Sequence, residues 1–202
     1  GPVALSLPVD LLTTKTEGRI VAPSGSRPGC NRALLERAAD LLGRARRPAI
    51  IAGGGVVSAE AGAELAALAL RLPAPVITTV MGRGALPESD PLWLGVLPNK
   101  LATEPALAAA DVVLAVGCRF AHRSTQGLLL NLAFTPEQTL IHLDLDPTVP
   151  GKLFAPRLAI IGDARDGLGG LVAALGAGRA AAGWDWAWLA GLRAARSPRY
   201  TA

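Results

Sequence analysis

Residues 48–58 read PAIIAGGGVVS, and the change of character at Gly53 says more about the chain than any other point in it. Five apolar residues in an unbroken run are too few for a helix and suit a strand buried on both faces. The three glycines Gly53, Gly54 and Gly55 then allow a sharp turn, and Ser58 stands where it can cap a helix running through Leu72. On the other side Pro48 ends a helix that Asn31 can open, with Leu34, Leu35, Ala38, Leu41 and Leu42 on one stripe.

Outward from this unit the same alternation repeats. A strand is expected over Pro75–Thr79, then a glycine and proline loop (MGRGALPESDPL, 81–92) and a helix around Thr103–Ala110. Strands over Asp111–Val116, Thr139–Leu143 and Leu158–Ile161 end at Gly117, at Asp144–Pro147 and at Gly162. Helices over Asp163–Leu175 and Asp185–Arg196 close the pattern. Short apolar strands separated by helices predict an α/β fold, a doubly wound, Rossmann-like parallel sheet with helices on both faces. Ligands of such sheets sit beyond the carboxyl ends of the strands, so the residues that follow each strand are the candidates for function.

Composition narrows the class. Of 202 residues, 50% are hydrophobic but only 4% aromatic, with 23 glycines and 16 prolines, so the core is aliphatic and the turns are tight. The net charge of +4 comes mainly from arginine, clustered only at Arg44, Arg46, Arg47 and at Arg193, Arg196, Arg199. Both clusters fall near expected helix C-termini, where cations are favourable, and no aromatics interleave with them, which argues against nucleic acid. Asp111, Arg119, Asp163 and Arg179 interrupt the hydrophobic runs, so no membrane span is expected. Cys30 and Cys118 form no CxxC pair and are read as reduced thiols of a cytoplasmic protein. The opening GPVALSLPVD alternates like a strand that starts at residue 1, which reads as a piece cut from a longer chain, and residues 11–30 read as a linker.

Three groups at strand ends have chemistry to offer. The triglycine bend and the helix start behind it present N–H groups that attract a phosphate, although a tight turn without ligand gives the same sequence. As a dinucleotide fingerprint it fails twice: Ser58 stands at the third glycine, and Thr78 and Thr79 stand where NAD proteins place a ribose-binding carboxylate. Arg119 can reach a diphosphate or a flat ring, or be a solvated arginine paired with an acid. His142, Asp144 and Asp146 alternate on one face if the strand continues, a metal-like spacing that also fits an Asp-x-Asp-Pro turn, and no metal is assigned. No nucleophile–base pair is visible, and His122 and His142 have no defined spacing to an activated Ser or Cys.

Taken in order, PAIIAGGGVVSAEAGAELAALA, PVITTVMGRGALPESDPLWLG, ADVVLAVGCRF, LIHLDLDP and IIGDARDGL resemble the central domain of thiamine-diphosphate-dependent enzymes of the acetolactate synthase type. The resemblance implies a six-stranded parallel sheet, with residues 1–30 as the end of a preceding pyrimidine-binding domain plus linker. Residues 31–176 would then be the central domain, and 177–202 a helix leading to a diphosphate-binding domain. It implies a parent enzyme, transferase or lyase, that decarboxylates or ligates 2-keto acids. That parent would be a homo-oligomer holding thiamine diphosphate and Mg²⁺ in the flanking domains, leaving this chain structural and without catalysis of its own. Relatives hold FAD, ADP, a CoA moiety or nothing in this domain. Carried over, the flavin contacts fall on Gly54, on Thr79 and Val80, on Leu94, Gly95 and Val96, and on Gly117, Cys118, Arg119 and Phe120, then on Asp144, Leu145, Asp163 and Ala164. Ala121 replaces an acid of the flavin-binding members, and LGVLPNK replaces a methionine and glycine-rich loop. From the residues alone, the alternative is a free-standing nucleotide-binding module or oxidoreductase subunit.

Overall fold

The computed structural model describes residues 4–15, 17–18, 25–120, 134–176 and 183–195. Six strands, β1 (Pro48–Ala52), β2 (Val76–Thr79), β3 (Trp93–Leu97), β4 (Val112–Val116), β5 (Thr139–Asp144) and β6 (Leu158–Ile161), form one sheet in the order β3-β2-β1-β4-β5-β6. Every adjacent pair is parallel. The helices are α1 (Arg32–Arg44), α2 (Gly54–Ser58), α3 (Gly62–Arg71), α4 (Thr103–Ala109), α5 (Ala164–Ala174) and α6 (Trp186–Ala195). The expected doubly wound, Rossmann-like sheet is therefore present.

Alternation along each strand divides the core into two layers. Ile50, Ala52, Leu114, Val116, Ile141 and Leu143 face Leu35 and Leu42 of α1, Leu65 and Leu68 of α3, and Leu168 and Leu171 of α5. Ala49, Ile51, Ile77, Val113, Ala115 and Leu140 face Ala106 and Leu107 of α4, with Trp184 and Leu189 at α6. Both faces of β1 and β4 are covered, which is why their sequences are continuously apolar, and each fully buried isoleucine contributes about 1.5–3 kcal/mol. Asn31 caps α1 as expected, its Oδ1 accepting from the Ala33 and Leu34 amides at 3.0 and 3.3 Å. Trp184 anchors the C-terminal helix by donating from Nε1 to the Pro48 carbonyl at 2.8 Å.

Four local expectations are corrected. Ser58 does not cap a long helix: α2 starts at Gly54 and stops at Ser58, Glu60 takes a positive φ of 50°, and α3 begins afresh at Gly62. The segment after residue 92 is not all loop and helix, since Trp93–Leu97 is the edge strand β3, where β2 requires a partner for its outer ladder. Residues 4–8 of the opening segment form no strand, having no neighbour to pair with, and Gly1–Val3 lie outside the described residues. The linker holds a 3-10 turn at Leu11–Thr13, and its end is tied to α5: Asp163 N–H donates to the Pro28 carbonyl and Cys30 N–H to Asp166 Oδ2. Arg179, Arg196, Arg199, Ala121 and His122 also lie outside the described residues.

Candidate functional site

The strand order reverses its direction of growth between β1 and β4, and the ends of those two strands open a crevice, as expected of a doubly wound sheet. A cavity of about 500 Å³ occupies that place. Its walls come from the ends of β1, β2, β4, β5 and β6, and not from β3. Gly54, Gly55, Val57 and Ser58 follow β1, and Thr79 and Met81 follow β2. Gly117, Cys118, Arg119 and Phe120 follow β4, Asp144 and Leu145 follow β5, and Asp163 and Ala164 follow β6. The fold thus brings ten of the fourteen predicted contact positions to one cavity. Val80, Leu94, Gly95 and Val96 are not among the lining residues: Val80 is half exposed, and the other three belong to β3 at the sheet edge.

The triglycine bend is not the open cradle expected. Gly53 N–H donates to the Val116 carbonyl at 2.9 Å and Gly55 N–H to the Gly117 carbonyl at 3.1 Å. A Cβ on Gly53 would lie 2.1 Å from the Gly117 oxygen, and one on Gly55 2.6 Å from the Gly117 Cα. These two glycines exist so that the ends of β1 and β4 can touch. Gly54 alone keeps an N–H outside that contact, at the first position of a five-residue helix too short to supply an anion site by its dipole.

The charges of the cavity separate into paired and unpaired. Asp163 caps α5 through the amides of Arg165 and Asp166 and accepts from Arg27 Nη1 at 2.9 Å. Burial acts to raise the Asp163 pKa, but the Arg27 bond and the two amides outweigh it and hold the carboxyl below its ordinary 3.8. Arg27 also donates to the Ser58 carbonyl at 2.7 Å, closing one wall with the linker. Arg119, an exposed residue of the cavity lining, has no ion-pair partner among the described residues. Asp144 is buried, and its Oδ1 accepts the Asp146 amide at 3.0 Å. Asp146 itself turns away to Thr148, so the expected one-sided set of His142, Asp144 and Asp146 does not form: the strand stops at Asp144.

Neither thiol is set up as a nucleophile. Burial pushes Cys118 up to about 12, and burial together with Asp166 and Asp163 does the same to Cys30. Among the described residues no group of His, Cys, Asp and Glu has the arrangement to hold a metal ion, and Asp163 of the Gly162-Asp163-Ala164 echo is engaged with Arg27 and the α5 amides. These residues do not fit thiamine diphosphate and its metal. The cavity's few hundred Å³ lie within the general range of small-molecule sites.

Arg27, Met81, Val57 and Leu143 line the cavity without having been singled out in the sequence. Met81 follows the second strand, beside Val80, which the resemblance had named, and so falls under the strand-end rule. Arg27 gave no local signal, since its partner Asp163 is 136 positions away.

Fold and cavity together define a Rossmann-like α/β domain with a cavity at the switch point. The family model for the central domain of thiamine pyrophosphate enzymes matches residues 35–171, and the chain belongs to this family, in its acetolactate synthase type. It is 41% identical over 143 residues to the probable acetolactate synthase large subunit of Methanocaldococcus jannaschii, covering 70% of this chain and 24% of that protein. It is 34% identical over 174 residues to the glyoxylate carboligase of Escherichia coli O157:H7, covering 83% of this chain and 29% of that one. The benzoylformate decarboxylase of Polynucleobacter necessarius shares the fold with a TM-score of 0.63 at 18% identity, over 83% of this chain and 33% of that one. The chain therefore spans about a quarter to a third of the length of the proteins it matches.

Proposed function

We propose that this chain serves as the middle domain of a thiamine-diphosphate-dependent enzyme that decarboxylates or ligates 2-keto acids. Its own work is structural: residues 31–176 join and space two catalytic domains that bind the thiamine cofactor, in a homo-oligomeric parent. Residues 1–30 then belong to the preceding domain and linker, and 177–202 lead into the next. The cofactor supplies the carbanion chemistry of the parent, and this chain contributes no reacting group to it. The cavity is an accessory site for an ADP-type nucleotide, alone or as the adenylate part of FAD.

The observation that carries this reading is the cavity itself. It has a nucleotide's volume, an arginine without an ion-pair partner among the described residues, and a thiol held protonated. With the Gly53 and Gly55 amides engaged, Arg119 is the cavity's group to meet a diphosphate. Titration of the purified chain with ADP and with FAD tests it. Micromolar ADP binding, weakened about tenfold by Arg119→Ala, is expected, with FAD weaker because flanking domains complete its site. Flat titrations with both would reduce the cavity to packing. Release of carbon dioxide from pyruvate by this chain, given thiamine diphosphate and Mg²⁺, would overturn the structural assignment.

A further inference from the structure

His142 sits in the middle of β5, 1% exposed, between Ala115 of β4 and Ala159 of β6. Alanine on both sides leaves the ring room against the sheet. Its Nε2 lies 2.9 Å from the Cys118 carbonyl, and a carbonyl only accepts, so Nε2 carries the proton and Nδ1 is bare. That Nδ1 is buried with no hydrogen-bond partner. The Phe120 ring stands edge-on to the imidazole at 5.2 Å, and Phe134 and Phe154 complete the aromatic cluster. An orphaned buried acceptor is costly, so a histidine kept here calls for some gain from its other nitrogen.

That gain lies in the turn after β4. Gly117 and Phe120 both have left-handed backbone, φ 54° and 49°, and such a conformation at a phenylalanine costs about 1–3 kcal/mol unless its surroundings impose it. Three bonds hold the turn that leads into it: the Gly117 N–H donates to the Leu143 carbonyl at 2.8 Å, the Gly55 amide holds the Gly117 carbonyl, and His142 meets the Cys118 carbonyl. Between them stands Arg119, exposed, with no ion pair of its own among the described residues to fix it.

We propose that His142 is the positioning residue of the cavity: by donating from Nε2 to the Cys118 carbonyl it holds the 117–120 turn so that Arg119 faces the bound anion. The ligand part of this rests on the nucleotide reading above, whereas the clamp itself does not. Beside the backbone bond from the Gly117 N–H to the Leu143 carbonyl at 2.8 Å, the imidazole gives β5 a second, side-chain hold on the turn.

The test compares His142→Gln, which keeps a donor near the Nε2 position, with His142→Asn, which places its amide near Nδ1, and His142→Phe, which keeps only shape. Two readouts are taken on the full chain: amide exchange of Gly117 and Phe120 by NMR, and ADP affinity by titration. Expected is an increase in exchange of about fivefold or more in the Asn and Phe variants, near wild-type exchange in Gln, and ADP affinity lost in parallel by a similar factor. If Gln, Asn and Phe behave alike, packing rather than the Nε2 donor is responsible and the proposal fails. Should the Asn and Phe variants not fold, the nitrogen shifts of the wild-type imidazole decide: a proton on Nδ1 rather than Nε2 overturns the clamp. Exchange that loosens as expected in a protein that binds no ADP would keep the clamp and discard the nucleotide.

Discussion

Residue by residue, much of the cavity wall is made of groups already engaged, Arg119 excepted. Gly53 and Gly55 are small so that two strand ends can meet, and the predicted consequence is asymmetric. Gly53→Ala puts a methyl 2.1 Å from a backbone oxygen and should cost about 3 kcal/mol or more in urea unfolding. Gly191→Ala, inside α6 where a Cβ would meet no described atom from outside its own helix within 4 Å, should gain up to about 1 kcal/mol from helix propensity. His142 and Asp163 each contribute to the acid response, alongside the exposed Asp146 and Glu137, whose pKa values are also lowered. Burial outweighs the Cys118 bond and the nearby Asp144 and lowers the His142 pKa below 6.5, so below that pH the unfolded chain binds more protons than the folded one. Stability should be level above 6.5 and decline as the pH falls below it, and His142→Gln should remove this window. Asp163, whose pKa is also lowered, contributes stability that is present above 3.8 and is lost as the pH falls below that value. Denaturation midpoints across pH 3–8 check both windows.

At the scale of elements, what matters is how each is anchored. Asn31 caps α1 with two amides and nothing else, and Asn31→Ala should cost about 1 kcal/mol. Asp163 caps α5 and also fastens the linker through Arg27, whose side chain is half exposed. Asp163→Ala should therefore cost more, about 2 kcal/mol, and Arg27→Ala should add little once Asp163 is gone, a coupling that a double-mutant cycle on urea midpoints reads directly. The broken helix at Ser58–Ala61 was not legible, because the apolar period runs on across it, and the break follows from how Glu60 and the chain around it pack. Strand β3 was missed for a related reason: Trp93–Leu97 is short, holds Gly95 and lies between prolines, and only the β2 ladder makes it a strand.

For the whole molecule, the strand order places the ends of β1 and β4 side by side and so creates the cavity, whatever occupies it. Ligand-linked stability tests the division of labour between this chain and its proposed neighbours. ADP at about 100 times its dissociation constant should add about 2.7 kcal/mol, raising the midpoint temperature by several degrees, while thiamine diphosphate with Mg²⁺ should leave it unchanged. A midpoint raised by the thiamine pair would place part of that cofactor's site within these residues. Among the described residues no helix is long and apolar enough to cross a membrane.

The identity of five of the six strands, the parallel sheet and most of the positions worth inspecting could be read from order and periodicity, because a strand buried on both faces must be apolar throughout and a turn after it must be small or polar. Which of those positions share a cavity was a matter of three dimensions. The closure of the triglycine bend by Gly117, the reach of Arg27 to Asp163 and the grip of His142 on Cys118 join residues far apart in the chain. Their partners are chosen by the packing of the sheet, and no local pattern records that choice.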